Sequence, residues 1–183
     1  MLSPMPAADP PTDAASPLTL ADGTAVVLRP ITPADEALIA AFHAGLSPRS
    51  VYQRYFHITT LEQRTSQQRL ALTCRVDPAQ GAALVAERVG VTEILALGRI
   101  RRTGTAGDAE IAVLVADRVQ GLGLGTAMTQ ALVRVARALG VRRLYGDLFA
   151  DNDAMQAVVR RTGFAVRATP GDARVLRAEL SLD

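Results

Sequence analysis

An α/β fold, one sheet with helices packed on it, follows from three features of the sequence. Hydrophobic residues make up 49% of the chain and charged residues 21%, the balance of a globular domain. Stretches with strand and helix periodicity succeed one another in the order strand, helices, three strands, helix, strand, helix, strands. The apolar run 111–115 leads through a glycine-rich loop into an amphipathic helix and then another strand, which requires a crossover rather than a hairpin. At 183 residues the chain suits a single domain with one core.

Each element has its own local cause. Residues 1–17 hold five prolines among alanines without any period, and read as a disordered arm ahead of a folded domain over 18–183. Ala21-Asp22-Gly23-Thr24 is a turn into a strand over 25–29. Thr32-Pro33 and Ser47-Pro48 are helix starts, the first carrying Leu38, Ile39 and Phe42 on its buried face, the second ending near Phe56. A third helix is expected from about Thr60 to Thr73. After Asp77-Pro78 the period changes to that of strands, over 82–89 and 94–102 with a hairpin at Gly90-Val91-Thr92, then over 109–115. The remainder reads as a helix over 125–139 ended by Gly140, a strand over 143–149, a helix over 152–162, and β runs over 164–168 and 174–180.

The most informative segment is Gln120-Gly121-Leu122-Gly123-Leu124-Gly125-Thr126. Residues without side chains let successive backbone N–H groups approach an anion, and the helix that starts there adds roughly half a positive charge. Two common phosphate loops do not fit. A P-loop ends in Gly-Lys-Ser/Thr, and the chain contains no lysine. A dinucleotide fingerprint follows its strand immediately, whereas Ala116 to Gln120 intervene here.

Other classes are disfavoured by composition. The formal charge of +2 comes from 20 arginines scattered along the chain, without a basic patch interleaved with aromatics, so no nucleic-acid partner is expected. Two histidines and one cysteine give no metal-ligand spacing, so no metal is expected. Cys74 sits in a helical apolar pattern and reads as a small core residue. No apolar run approaches the roughly 20 residues of a membrane span, and the N-terminus lacks the basic and apolar regions of a secretory signal, so no membrane association and a cytoplasmic location are expected.

Read as Gln-x-x-Gly-x-Gly, from Gln120 through Gly123 to Gly125, the loop resembles the pyrophosphate loop of the GNAT superfamily of acyl-CoA-dependent N-acyltransferases. Ala109-Glu110-Ile111-Ala112-Val113 before it, and Asn152 with Gly163-Phe164 after it, extend the resemblance over residues 24–180. The segment 46–56, Val76-Asp77 and 83–86 look like the acetyltransferase domain of bacterial protein lysine acetyltransferases, as does Met155 after Asn152. Those enzymes often carry a further regulatory or synthetase-like domain, for which 183 residues leave no room. The resemblance implies the GNAT fold, a mixed, mostly antiparallel sheet flanked by helices and splayed between its fourth and fifth strands. It also implies acetyl-CoA as donor. The pantetheine arm would lie on the backbone of Val113, Leu114 and Val115, the pyrophosphate on Gln120, Gly121, Leu122, Gly123, Leu124, Gly125 and Thr126. Asn152 would reach the same ligand or cap its helix, a role for which Asn is equally suited.

Acetyl transfer to an amine needs the neutral amine, yet a lysine with pKa about 10.4 is protonated at neutral pH. A general base must take that proton, and the resemblance places Glu110 in this role. Alternation puts Glu110 on one face of its strand with Ala112 and Leu114, where partial burial would make it a better base. The alternative for Glu110 is an ion pair with Arg101 or Arg102. Many relatives supply a tyrosine seven residues after the Asn to protonate the leaving thiolate, where this chain has Val159. Tyr52 and His57 lie in the region bordering the acceptor site in this superfamily and are candidates for shaping it, Tyr55 and Phe56 more for filling the core. Protein lysine is the favoured acceptor, a small amine the rival, and a non-catalytic CoA-binding sensor the reading outside enzymology. A monomer and a homodimer are both compatible with the sequence.

Overall fold

The computed structural model describes residues 16–182; the proposed arm lies outside the described residues except at Ser16 and Pro17. These two residues are already in a strand, β1 (Ser16–Thr19), paired antiparallel with β2 (Ala25–Pro30). Proline is tolerated there because β1 is an edge strand, where an N–H is not required. A short 3-10 turn at Pro33–Asp35 precedes α1 (Glu36–Ala44), and α2 spans Pro48–Tyr55. The single helix expected over 60–73 is two, α3 (Leu61–Thr65) and α4 (Gln67–Cys74). The break is at Ser66, whose ψ of 144° is extended, and serine is a residue that readily leaves helical geometry.

β3 (Gly81–Arg88), β4 (Ile94–Arg102) and β5 (Asp108–Val115) follow as a meander. Then come α5 (Leu124–Ala138), β6 (Arg143–Phe149), α6 (Asp153–Arg161), β7 (Ala165–Thr169) and β8 (Asp172–Ser181). The eight strands form one sheet in the order β1-β2-β3-β4-β5-β6-β8-β7. Every pairing is antiparallel except β5 with β6, because α5 carries the chain back across the sheet between them. With β1 added at the front, the expected fourth and fifth strands are β5 and β6.

Both faces of the centre are covered. The face bearing Gly98 receives α5: a Cβ at Gly98 would stand 2.7 Å from Leu132 Cδ1 and 2.7 Å from Met128 Sδ, and both of those side chains are fully buried. The opposite face, with Leu95, Leu97 and Arg99, lies under the α1–α4 layer. Replacing Gly98 by Val should cost about 1–3 kcal/mol through overpacking against α5, read as a lower midpoint in denaturant unfolding with an unchanged slope.

His43 of α1 is buried at 3% exposure, edge-on to Phe42, with Nδ1 lacking a hydrogen-bond partner. Burial, then the nearby Arg64, Arg54 and Arg69, push its pKa down to about 4. The unfolded chain therefore takes up a proton that the folded chain refuses between about 6.5 and about 4. Stability should fall as pH drops through that window, and His43→Leu should flatten the fall, measured as melting temperature at pH 7 and pH 4.5.

Candidate active site

β5 and β6 are in register only at Asp108–Arg143, Ala109–Leu144 and Glu110–Tyr145. Beyond Glu110 the strands part. At both ends of the β4–β5 pairing the even-numbered residues of β5 turn their backbone toward β4: Ala116 N–H donates to the Leu95 carbonyl (2.8 Å) and the Asp108 carbonyl accepts from Thr103 N–H (3.1 Å). The register between them is unbroken, so by alternation Ile111, Val113 and Val115 turn their backbone groups toward the gap. Leu114 is turned the other way: its backbone groups face β4, and it is buried on the lining of the cleft.

Gly146 of β6 is where the strands diverge. A Cβ there would lie 2.8 Å from the Ile111 carbonyl oxygen, a contact no side chain can make. The gap opens into a cavity of about 690 Å³ lined by β5 from Glu110 to Val115, by Gly146 to Leu148, by the glycine loop and by residues of α2 and α6.

The loop's alternation of glycine and leucine divides two tasks. Gly121, Gly123 and Gly125 line the cavity, with Gln120 and Thr126. Leu122 packs against the core and Leu124 is wholly buried, so neither side chain lines the cavity; the ligand contact expected of them is through the backbone. Gly121 and Gly123 have φ of 77° and 93°, and no atom lies within 4 Å of where a Cβ would stand on either, so they are needed for backbone conformation rather than for space. Gly123 caps α5, leaving the N–H groups of Leu124, Gly125 and Thr126 as the free donors of its first turn. The Leu122 carbonyl accepts from Ala21 N–H (3.3 Å), tying the loop to the turn after β1.

Gln120 is held by the protein itself. Its Nε2 donates to the Val115 carbonyl and to Ser50 Oγ, both at 3.0 Å. Ser50 Oγ donates to Asp117 Oδ1 (2.8 Å), and Ser47 donates to the same carboxylate through its hydroxyl (2.5 Å) and N–H (2.9 Å). Burial would raise the Asp117 carboxyl, but the Ser47 hydroxyl and N–H and the Ser50 hydroxyl outweigh it and hold it below the usual carboxylate range. This clamp joins the start of α2 to the glycine loop; Asp117 and Ser50 were not singled out from sequence, because residues about 70 apart show no local signal of meeting.

Asn152 caps α6, its Oδ1 accepting from Met155 N–H at 3.1 Å, and it also lines the cavity. Val159, in place of the tyrosine, is buried. Glu110 lines the cavity beside Arg54 and accepts from Arg101 Nη2 at 2.6 Å, its side chain 37% exposed. The ion pair given as its alternative therefore forms, with the carboxylate on the cavity wall. Tyr52 and His57 do not line this cavity. They border a separate hollow with Leu46, Pro48 and Val51, where Tyr52 stacks on Phe149 at 5.0 Å. The residues of that segment facing the cavity are Gln53, Arg54, Tyr55 and Phe56. Phe56 is the only non-glycine residue with positive φ, 62°, among the described residues. It caps α2 and leans on Phe149 at 4.7 Å.

A mixed sheet that splits beside a glycine loop, with a helix start at the mouth of the split, defines the class of an acyltransferase that takes a coenzyme A thioester. Residues 25–165 match the Acetyltransferase (GNAT) domain family, and the chain belongs to that family. It is 30% identical over 166 residues to Acetyltransferase PA5475 of Pseudomonas aeruginosa, covering 90% of this chain and 88% of that one. It is 28% identical over 148 residues to Acetyltransferase Pat of Mycolicibacterium smegmatis, covering 80% of this chain but only 43% of the relative. The crystal structure of the GNAT domain of S. lividans PAT superposes with a TM-score of 0.83 at 28% identity, covering 94% of this chain and 99% of that one. The chain is thus a GNAT acetyltransferase with acetyl-CoA as acyl donor. No helix among the described residues is long and apolar enough to cross a membrane.

Gly123→Ala places a Cβ at φ 93°, at a cost of about 1–2 kcal/mol. The expected outcome is a several-fold higher KM for acetyl-CoA with the acceptor KM unchanged, followed by thiol release.

Proposed function

We propose that the chain transfers the acetyl group of acetyl-CoA directly to a primary amine, with Glu110 as general base. The observation that carries this reading is the position of the Glu110 carboxylate on the cavity wall, at the last paired residue before β5 and β6 part. In this reading the pantetheine arm runs along the gap, bonding the backbone of Val113 and Val115 as an added strand would. The pyrophosphate rests on the N–H groups at the start of α5. The thioester carbonyl then lies near the parting, where a β5 N–H stabilises the oxyanion as the amine attacks.

Glu110 removes the ammonium proton before attack, since only the neutral amine has a lone pair to give. The tetrahedral intermediate collapses with loss of the coenzyme A thiolate. With Val159 where a tyrosine acid would stand, the thiolate leaves without a tyrosine at that position, which a thiol of pKa about 8.5 permits.

Protein lysine is the acceptor implied by the resemblance of the front half, and the likeness to the PAT and Pat proteins supports it. A small amine is favoured by the cationic wall at Arg54, which lines the cavity beside Glu110. Glu110→Gln should lower kcat by about 10²–10⁴ while acetyl-CoA binding by calorimetry stays within about twofold. Wild-type turnover in the mutant would remove Glu110 from the mechanism, and tight cofactor binding without turnover on any amine would leave a sensor instead.

A further inference from the structure

Around Glu110 the protein gathers arginines with too few acids to match them; Arg54 is on the cavity lining, whereas Arg69, Arg99 and Arg101 are not. Arg54 of α2 lines the cavity next to Glu110. Its guanidinium carbon stands 5.3 Å from the centre of the Tyr55 ring, and that of Arg69 of α4 stands 5.7 Å from the same ring. Arg99 of β4 is opposite Ala112, on the same face of the sheet as Glu110, and its Nε is buried without a hydrogen-bond partner. Arg101, two residues along, is spent on Glu110. Among the described residues no carboxylate lies within ion-pair distance of Arg54, Arg69 or Arg99. The other carboxylate on the cavity wall, Asp147, is held by both Arg177 nitrogens at 2.8 and 2.9 Å.

Arg54 and Arg99 therefore have as their nearby carboxylate only Glu110, which is already paired with Arg101. Burial, and then Arg101, Arg54 and Arg69, hold Arg99 below the usual arginine range, and burial does the same to Arg54. Guanidinium groups stay charged even so, and partly buried charges without a partner are costly. A bare ammonium entering here would add to the excess. An amine that carries its own acid would cancel it, bidentate guanidinium pairing being well suited to carboxylate and phosphate oxygens. The remaining positive field would then help the amine shed its proton to Glu110.

Resting on the acetyl-transfer reading, we propose that the acceptor is a small amine bearing a carboxylate, phosphonate or phosphate group, and that Arg54 binds that group, with Arg99 adding to the positive field from behind the lining. They act in specificity rather than in chemistry. The proton path stays with Glu110.

The full chain, given acetyl-CoA, is assayed by thiol release against α-amino acids and aminophosphonates, the carboxamides and methyl esters of the same amino acids, and lysine peptides with neutral or acidic neighbours. The proposal expects kcat/KM at least tenfold higher for the acids than for their carboxamides. Arg54→Gln should erase most of that ratio by raising acceptor KM ten- to a hundredfold, and Arg99→Gln a smaller part of it, with acetyl-CoA KM and melting temperature little changed. Arg54→Lys, which keeps a charge, should recover part of the loss, and covers the case in which Arg54→Gln fails to fold. Carboxamides used as well as acids, or turnover confined to lysine peptides of either kind, would overturn the proposal while leaving acetyl transfer standing. Inorganic phosphate titrated by calorimetry into CoA-saturated protein tests the anion site without catalysis. Binding lost in Arg54→Gln, together with no turnover on any amine, would uphold the anion site and reject acetyl transfer; no phosphate binding would count against the site.

Discussion

The parting of β5 from β6 is the constraint on which the rest of the molecule depends. A sheet normally pairs every backbone group of an inner strand, and leaving them unpaired is costly. Here the parallel pairing stops at Glu110, and the groups of Ile111, Val113 and Val115 open on a cavity. Gly146 allows β6 to pass close over the Ile111 carbonyl before turning away, and Gln120 takes up the Val115 carbonyl at the far end. What remains between is a stretch of strand edge inside the protein. An amide-bearing arm such as pantetheine is a suitable partner for such an edge, which links the irregularity of the sheet to the chemistry of its donor.

The clamp around Asp117 ties the two sides of this opening together. Ser47, Ser50 and Gln120 connect the start of α2 with the glycine loop through one carboxylate. The part of the cavity lining carried by α2, with Arg54 and Phe56, is thereby fixed relative to the glycine loop. Reacting groups positioned by a common support need little further ordering to meet.

Arginine composes the whole basic complement of the chain, and the fold divides it unevenly. Along the strands, Arg143 and Arg177 pair with acids on neighbouring strands. Beneath α1–α4, Arg54, Arg69 and Arg99 do not, and the same field contributes to keeping His43 neutral. A surplus of charge behind a cavity lining makes the local potential positive. Glu110, paired yet on the cavity wall, sits at the boundary between this cationic wall and the neutral backbone of the gap.

Periodicity, proline and serine starts and glycine stops determined most of the elements, because these are local properties of a chain. The same is true of the loop from Gln120 to Thr126, whose glycines at 121 and 123 announce backbone angles that other residues avoid. Local pattern failed at Ser66, where a helix breaks without proline or glycine, and at Ser16-Pro17, where pairing with β2 overrides a proline-rich composition. The division of side chains was not local either: those of Leu122 and Leu124 serve the core, and Tyr52 and His57 face another hollow. Glu110 was visible as a strand residue, but its partner Arg101 was only one of two alternatives until the register of β4 on β5 chose it. The sequence by itself determined the strand, loop and helix that make an anion cradle. Only the tertiary structure decided where the sheet parts, which backbone groups it exposes and which arginines come near Glu110, since those depend on strand register and on side chains far apart in the chain.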